Sequence, residues 1–408
     1  MKKKKLKKSG VVVFILLFIV IALLVAYLIF SSCLKLNVKN TSISVGSKYK
    51  EKVSASFLGK DLSKEVKSSG KVNTKKIGTY EIKYTVKYLL FKKSKTITVE
   101  VKDNVKPEIT LKDAKKVFYA TGVEYKELGF TAKDNTDGDI TKKVKTTNNI
   151  DKDKEGEYEV VYTVSDKAGN KTSIKRKVVY TKPNTNGIAV LNYHFFYDPD
   201  LGEECNEGNC EIVSDFKKQL DYLRDNNFKT LSMEEFRDWM YGKLEIPEKS
   251  VLITVDDGAK GTGKHNGNKL NPILEEYEMH ATLFLITGWW DIENYRGYYL
   301  DIESHTNDMH TGNVCKEASR GAKMLCSTND YVMNDLKKSI EVTKSTKAFC
   351  YPFYVYNETT TRQVKEAGFE LAFIGGGRKA TKTTDKWHIP RFQIVKTTPL
   401  ERFIQIVN

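Results

Sequence analysis

Two adjacent carboxylates near the middle of the chain are the first side chains suited to hydrolytic chemistry. Asp256 and Asp257 end the apolar run Val251–Val255 and are followed by Gly258, which permits a sharp turn. Adjacent carboxylates can divide their roles, because a cation keeps one of them ionised as a ligand while the other acts as a base. Asp-Asp-Gly is also common in ordinary turns. The pair therefore indicates a functional site only in combination with other motifs in the chain.

A second segment brings together two of the six histidines of the chain. His305 and His310 stand five positions apart in Glu303-Ser-His-Thr-Asn-Asp-Met-His310, directly after an apolar stretch. Two imidazoles and a carboxylate suit a divalent cation that keeps open positions for water and substrate. A third segment, Ala348–Phe353, runs from a predicted strand into a proline turn, where backbone amides can face a ligand. Together the segments predict a divalent metal site with a carboxylate base beside it.

The elements that must position these segments occupy residues 187–408, after the linker-like stretch 182–187. Apolar runs predict strands at 188–191, 251–255, 282–286 and 371–374, and an amphipathic helix is predicted at 214–226. Ser232 and Glu235 form a capping box that opens another helix. Alternating strands and helices predict an α/β domain with a mainly parallel sheet or barrel. Motifs that follow such strands meet at one rim.

The N-terminal segment has a different character. Residues 11–30 form an unbroken apolar run, long enough to cross a bilayer as a helix, and six lysines precede it. The positive-inside rule predicts a cytoplasmic basic tail at 1–9 and a transmembrane anchor at 10–32, with the remainder outside the cell. No small-residue cleavage site follows the run, which favours an anchor over a signal peptide. A lipoprotein box ending at Cys33 is the alternative, and it would also tether the chain.

Two β-rich repeats, at 34–103 and 104–182, separate the anchor from the catalytic segment. Val72–Val86 matches Ile150–Val164 at an offset of 78 residues, and the period-2 alternation of each repeat predicts a small all-β sandwich. Through Tyr162–Asn170 the second repeat resembles the bacterial Ig-like domains of surface proteins. That resemblance implies a spacer or a contact with the cell wall. Asp134–Asp139 is similar to a calcium loop but lacks a Glu at the twelfth position, so a turn is favoured.

Charge and cysteine content restrict the partners and the compartment. The net charge is +15, but six lysines lie in the tail and the others are dispersed, which fits an anionic cell wall better than nucleic acid. We therefore expect no nucleic-acid partner. Cysteines outside the membrane permit disulfides. The pairs close in sequence are Cys205 with Cys210 and Cys315 with Cys326, and neither has the two-residue spacing of a zinc knuckle.

Taken together and in this order, the three catalytic segments resemble the signature of carbohydrate esterase family 4, the NodB-type polysaccharide deacetylases. The resemblance covers about residues 188–400. It implies a distorted (β/α) barrel and the hydrolysis of acetyl groups from acetylated sugars. The divalent metal, commonly zinc and sometimes cobalt or nickel, would be held by Asp257, His305 and His310. This cation would polarise the acetyl carbonyl and activate water, and Asp256 would be the general base.

The resemblance also assigns candidates around the reacting carbonyl. A backbone amide at the position of Phe353 would help to hold the oxyanion, and Tyr351 lies beside it in the same motif. Most family members have an arginine where this chain has Cys350, and they carry a late Leu-x-Leu-His that supplies the general acid. Neither feature is recognisable here.

These departures resemble a subgroup that includes the poly-N-acetylglucosamine deacetylases, in which the His-x4-His spacing is longer and the acid histidine comes early. His194, after the first apolar run, fits that early place, and His388 is the alternative acid. Arg391 is a candidate to replace the missing arginine and to hold Asp256 ionised.

The sequence thus predicts a membrane-tethered extracellular deacetylase. Its substrate would be N-acetylglucosamine in a cell-wall or surface polysaccharide, either peptidoglycan or poly-N-acetylglucosamine. Two alternatives remain open: an esterase for O-acetyl groups, of the acetylxylan type, and a surface adhesin or wall-binding protein with an inactive deacetylase fold.

Overall fold

A computed structural model describes residues 8–316, 320 and 322–408 of the chain. Its first element is the α-helix Lys8–Ser32, in which Val12–Ser32 is long and apolar enough to cross a membrane. These properties are shared by membrane anchors and by signal peptides. Most of the predicted basic tail, residues 1–7, lies outside the described residues.

The two β repeats have the same strand topology. In the first, one sheet contains Leu34–Asn37, Ser54–Phe57 and Lys60–Asp61, and the other contains Thr41–Ser44, Phe91–Lys102, Gly78–Tyr88 and Lys67–Ser69. In the second, the corresponding sheets contain Glu108–Leu111, Phe130–Asp134 and Gly138–Asp139, and Lys116–Ala120, Lys171–Thr181, Gly156–Ser165 and Lys145–Asn148. Alternate residues of the long strands, such as Ile82, Tyr84 and Val86, are buried, which is the burial that the period-2 pattern predicts.

An eight-stranded parallel sheet organises the C-terminal part of the chain. Its strands are β1 (Ala189–Tyr193), β2 (Lys229–Thr230), β3 (Ser250–Asp257), β4 (Ala281–Leu285), β5 (Leu300–Ser304), β6 (Ala348–Cys350), β7 (Leu371–Phe373) and β8 (Phe392–Gln393). The order across the sheet is β7-β6-β5-β4-β3-β1-β8, and β2 pairs with β3. An isolated parallel bridge joins Phe373 of β7 to Ile389, just before β8. The sheet therefore curls toward closure as a distorted barrel.

Central strands of this sheet are covered on both faces. All eight residues of β3 are buried, and alternate residues enter two different hydrophobic clusters, with Ile253 in one and Leu252 in the other. The covering helices are α1 (Val213–Asp225), α2 (Met233–Met240), α3 (Leu270–Tyr277), α4 (Asn329–Thr343), α5 (Glu358–Glu366) and α6 (Leu400–Val407). The predicted capping box is present at α2, where the Ser232 hydroxyl accepts from Glu235 N at 3.2 Å. Burial on both faces explains why β3 is a continuous apolar run instead of an alternating one.

Both cysteine pairs singled out in the sequence are joined in the structure. Cys205 bonds to Cys210 and Cys315 bonds to Cys326. The first bridge holds a short ribbon in which Phe195–Tyr197 pairs with Cys210–Ile212, directly after β1. The disulfide thereby restrains the conformation of the segment that follows His194.

Candidate active site

The carboxyl ends of four strands of the parallel sheet bring the candidate residues together. Asp256 and Asp257 are the last residues of β3, and His305 follows β5 directly. His194 follows β1, and Cys350 ends β6. Because parallel strands end at one edge of the sheet, five side chains spread over more than 150 positions of sequence share one rim.

Asp257 lies between two imidazoles. Its Oδ1 atom is 3.3 Å from Nε2 of His305 and 3.3 Å from Nε2 of His310. This oxygen is buried without a hydrogen-bond partner, a costly state for a carboxylate that no cation contacts. Two nitrogens and one oxygen that converge on one point match the donor set of a zinc-type site with open positions. The three residues therefore fit a divalent metal.

The orientation of His305 is fixed by a second contact. Its Nδ1 atom is 2.8 Å from the carbonyl oxygen of Cys350, so Nδ1 carries the proton and donates it to this oxygen. Nε2 is then the nitrogen that can ligate a cation beside Asp257, in the tautomer that a metal ligand requires. Burial is the largest cause that lowers the pKa of His310 to about 4, so its Nε2 is unprotonated at neutral pH.

Asp256 is held in a buried, bidentate ion pair. Nη1 and Nη2 of Arg391 each donate to one Asp256 carboxylate oxygen, both at 2.7 Å. Nη1 of Arg391 also donates to the Thr254 hydroxyl at 3.2 Å, and the Cys350 thiol lies 2.9 Å from Nη2. Burial acts to raise the pKa of Asp256, but the charge of Arg391 outweighs it, so the pKa lies well below its usual range.

A second donor set is present but is less suited to a metal. Oxygen, nitrogen and sulfur atoms of Asp256, His305 and Cys350 lie within 4.8 Å of one another, as do those of Asp257, His305 and His310. Both oxygens of Asp256 already accept from Arg391, however. The set with Asp257 keeps its oxygen unpaired and is the better metal site.

His194 lies next to the carboxylate of Asp256. Its Nε2 atom is 3.9 Å from Oδ2 of Asp256 and 3.5 Å from the Tyr354 hydroxyl. That hydroxyl donates to Oδ1 of Asn192 at 2.7 Å, so an oxygen lone pair is left toward the imidazole. Burial lowers the pKa of His194, and the charges of Asp256 and Asp257 oppose this shift.

His388 has a different environment. Its Nδ1 atom lies 2.7 Å from Oδ2 of Asp385 and its Nε2 atom lies 3.1 Å from the Thr361 hydroxyl. The ring stacks on Tyr356, with centroids 4.2 Å apart. Both nitrogens thus have partners in another cluster, whereas Nε2 of His194 faces the carboxylate of Asp256.

The third motif forms a strained turn beside the site. Phe353 and Tyr354 have φ values of 56° and 63°, and Asp257 and Thr306 have values of 74° and 72°. Bulky residues avoid this left-handed region, and such strain clusters at functional sites. The Phe353 ring packs on His310 with centroids 4.4 Å apart, so the turn lies directly against the metal ligands.

Tyr351 of the third motif lies in the core of the domain. Its side chain is fully buried within a hydrophobic cluster and packs on Phe349 at a centroid distance of 5.2 Å. It therefore packs beneath the motif, and its contact with a substrate stays a prediction. Tyr354, which the sequence reasoning missed, turns toward the site and contacts His194. Its only sequence signal is its place three residues later in the same motif.

Two family models match the chain. One, described as bacterial surface protein, Ig-like domain, matches residues 35–101 and 109–179. The other, described as polysaccharide deacetylase, matches residues 243–372, the segment that contains the metal-site candidates and the strained turn. This segment belongs to a polysaccharide deacetylase domain. The chain is thus a hydrolase that carries Ig-like domains before its deacetylase domain.

Curated relatives of the deacetylase domain come from staphylococci. The poly-β-1,6-N-acetyl-D-glucosamine N-deacetylase of Staphylococcus aureus (strain MRSA252) is 26% identical over 243 residues, which are 52% of this chain and 80% of the relative. The Staphylococcus epidermidis protein of the same name (strain ATCC 35984 / RP62A) is 27% identical over 248 residues, 54% of this chain and 82% of the relative. Among solved structures, the deacetylase domain is similar to IcaB from Ammonifex degensii, at 22% identity and a TM-score of 0.44, over 55% of this chain and 97% of that one.

Proposed function

We propose that this protein removes N-acetyl groups from poly-β-1,6-N-acetyl-D-glucosamine. The observation that carries the proposal is the grouping at one rim of the sheet: Asp256 lies 3.9 Å from Nε2 of His194 and is adjacent in the chain to Asp257, which lies 3.3 Å from both His305 and His310. An N-deacetylase needs such a base between an activating site and an acid. The named activity of the staphylococcal relatives supports the choice of polymer.

The trio of Asp257, His305 and His310 would hold a divalent cation, with zinc proposed first and cobalt or nickel as alternatives. When bound, the cation supplies Lewis-acid polarisation of the acetyl carbonyl and a lowered pKa for water. The protein fixes the ligands, because the carbonyl of Cys350 sets the tautomer of His305. Chelation should therefore abolish turnover.

Asp256 acts as the general base. Arg391 holds the pKa of Asp256 well below its usual range, so Asp256 is ionised at neutral pH, and the bidentate contact aims the carboxylate. The same ion pair makes Asp256 a weak base, so the proton that it takes from water must pass on to another group. His194 Nε2 stands 3.9 Å from Oδ2 of Asp256, so the proton taken from water has a short path to this imidazole.

His194 acts as the general acid. Buried and neutral in the free site, it gains a proton during turnover and donates it to the amine nitrogen as the C–N bond breaks. Tyr354 stabilises the protonated ring through its hydroxyl lone pair. The backbone amide of Phe353 is proposed to bind the oxyanion, because its strained turn lies against His310.

A cavity beside these residues offers space for a sugar chain. It has a volume of about 510 Å³ and is lined by Tyr354, Arg391, Arg402 and the glycine run Gly375–Gly377, among others. The glycines leave room for a sugar ring because they have no side chains, and the polar side chains of the lining can hydrogen-bond to the sugar hydroxyls. We propose this cavity as the site of a sugar next to the one that carries the reacting acetamide, because its lining includes Tyr354 and Arg391.

We expect the full chain to release acetate from poly-β-1,6-N-acetyl-D-glucosamine faster than from chitin oligomers, peptidoglycan or acetylxylan. The measurement is acetate release from equal acetyl concentrations of the four polymers. Faster release from acetylxylan would favour the O-acetyl esterase. Release from none of them would favour the adhesin with an inactive fold.

We also propose that Lys8–Ser32 is an uncleaved anchor that holds the deacetylase domain outside the cell. Its apolar length and the preceding lysines support this topology. Protease added to intact cells should then digest the deacetylase domain while the helix stays in the membrane fraction. A protected domain would contradict the topology, and a shortened chain in the medium would identify the helix as a signal peptide.

A further inference from the structure

Three buried carboxylates converge in the β-rich part of the chain, outside the active site. Asp103, Asp134 and Asp166 are 8%, 7% and 7% exposed, and one carboxylate oxygen from each lies within 4.8 Å of the others. Each stands at or just beyond the end of a long strand: Phe91–Lys102, Phe130–Asp134 or Gly156–Ser165. All three belong to one compact unit, composed of residues 1–109, 131–145 and 163–173.

The cluster is not neutralised by the neighbouring basic side chains. Lys143 and Lys167 both pair with Asp137, at 3.3 Å each, and within the described residues no lysine or arginine forms an ion pair with the three carboxylates. Oδ2 of Asp134 is buried without a hydrogen-bond partner. Like charges at this distance in a buried place are strongly unfavourable unless a cation binds them.

Local hydrogen bonds orient the carboxylates without cancelling their charge. Oδ1 of Asp134 accepts from the amides of Thr136 and Asp137, at 2.9 and 2.8 Å. The Asn170 side chain donates to Oδ2 of Asp166 at 2.8 Å and to the carbonyl oxygen of Asp103 at 3.2 Å. Oδ2 of Asp134 is therefore left to face the other two carboxylates.

The first repeat shows that the fold itself does not need these acids. Its strand Ser54–Phe57 corresponds to Phe130–Asp134 and ends in Phe57, and Tyr88 stands 78 positions before Asp166. The two rings pack together with centroids 5.3 Å apart. An aromatic pair thus fills the place that two carboxylates occupy in the second repeat.

We propose that Asp103, Asp134 and Asp166 bind one calcium ion. Calcium takes oxygen ligands from carboxylates, backbone carbonyls and water, in flexible geometry, whereas the cluster offers no nitrogen or sulfur for zinc. The ligand set is not the one of a calcium loop within residues 134–139, because Asp139 accepts from Thr141 N at 2.9 Å and Asp137 pairs with the two lysines. The site is independent of the deacetylase activity.

Calcium titration of the full chain, purified in detergent, tests this site. By isothermal titration calorimetry the wild type should bind one calcium ion, and added calcium should raise its Tm. Asp134→Asn and Asp166→Asn should each lose the heat of calcium binding and the calcium-dependent rise in Tm. Asp134→Asn retains the oxygen that accepts from Thr136 and Asp137 and removes one negative charge, so without calcium its Tm should equal or exceed that of the wild type.

Two matched variants locate the ion. Asp137→Asn changes the same loop outside the cluster, and Asp257→Asn removes the proposed catalytic ligand; both should keep the calcium-dependent rise in Tm. The proposal is overturned if the wild type binds no calcium, or if both Asp134→Asn and Asp166→Asn bind it as the wild type does. It is also overturned if Asp257→Asn alone loses the response, because the ion would then occupy the catalytic trio.

Discussion

Asp256→Asn should keep its bound metal and lose turnover, whereas Asp257→Asn should lose both. The two residues are neighbours on β3, but only Asp257 lies between His305 and His310. Asp256 instead pairs with Arg391, and an asparagine there still accepts one of the two guanidinium hydrogen bonds. Loss of a positioned base costs about 10² to 10⁴ in rate. Metal content by inductively coupled plasma mass spectrometry, measured with acetate release, separates the two effects.

His305→Ala and His310→Ala should resemble Asp257→Asn in this experiment. His265→Ala is the matched control, because this exposed histidine packs near Trp290 with centroids 4.9 Å apart and lies outside the trio. It should keep metal and turnover. Equal metal content in Asp256→Asn, Asp257→Asn and the two ligand histidine variants would contradict the assigned roles.

A second large loss of catalytic rate is expected when His194 is replaced. Expulsion of an amine requires a proton donor, whereas an activated ester has a leaving group that departs without one. His194→Ala should therefore retain its metal, lose about 10² to 10⁴ in rate on the N-acetylated polymer and lose much less on an activated acetate ester. The measurement is the ratio of the rate on the N-acetylated polymer to the rate on the activated ester, obtained with the same enzyme preparation.

His388→Ala provides the control for this ratio. Its partners are Asp385, Thr361 and Tyr356, so it should lower the two rates together or leave both unchanged. If His388→Ala lowers the amide rate selectively and His194→Ala does not, the early histidine is not the acid.

Sequence patterns predicted many of the site residues because each motif directly follows an apolar strand. The run Val251–Val255 lies within β3, and a parallel strand buried on both faces is typically a near-continuous apolar run. The pairing of Asp256 with Arg391 was expected only as a replacement for a missing arginine. Its bidentate geometry depends on the curl of the sheet, which brings residues 135 positions apart into contact.

Two features of the structure could not be predicted from the sequence, for physical reasons. The turn at Phe353 and Tyr354 uses positive φ values that bulky residues disfavour, so local preference gave no sign that Tyr354 faces the site while Tyr351 is buried. The carboxylate cluster joins three strand ends that are distant in sequence. Only Asp134 lay in a segment whose pattern was similar to a calcium loop.

We propose that this site hydrolyses an amide with the help of a metal. The most direct test is to incubate the full chain with poly-β-1,6-N-acetyl-D-glucosamine and to measure free amines on the polymer together with acetate in solution. We expect amines and acetate to appear in equal amounts, to stop after chelation and to return when zinc, cobalt or nickel is added. Acetate without new amines, or amine formation that continues in the metal-free enzyme, would contradict the account.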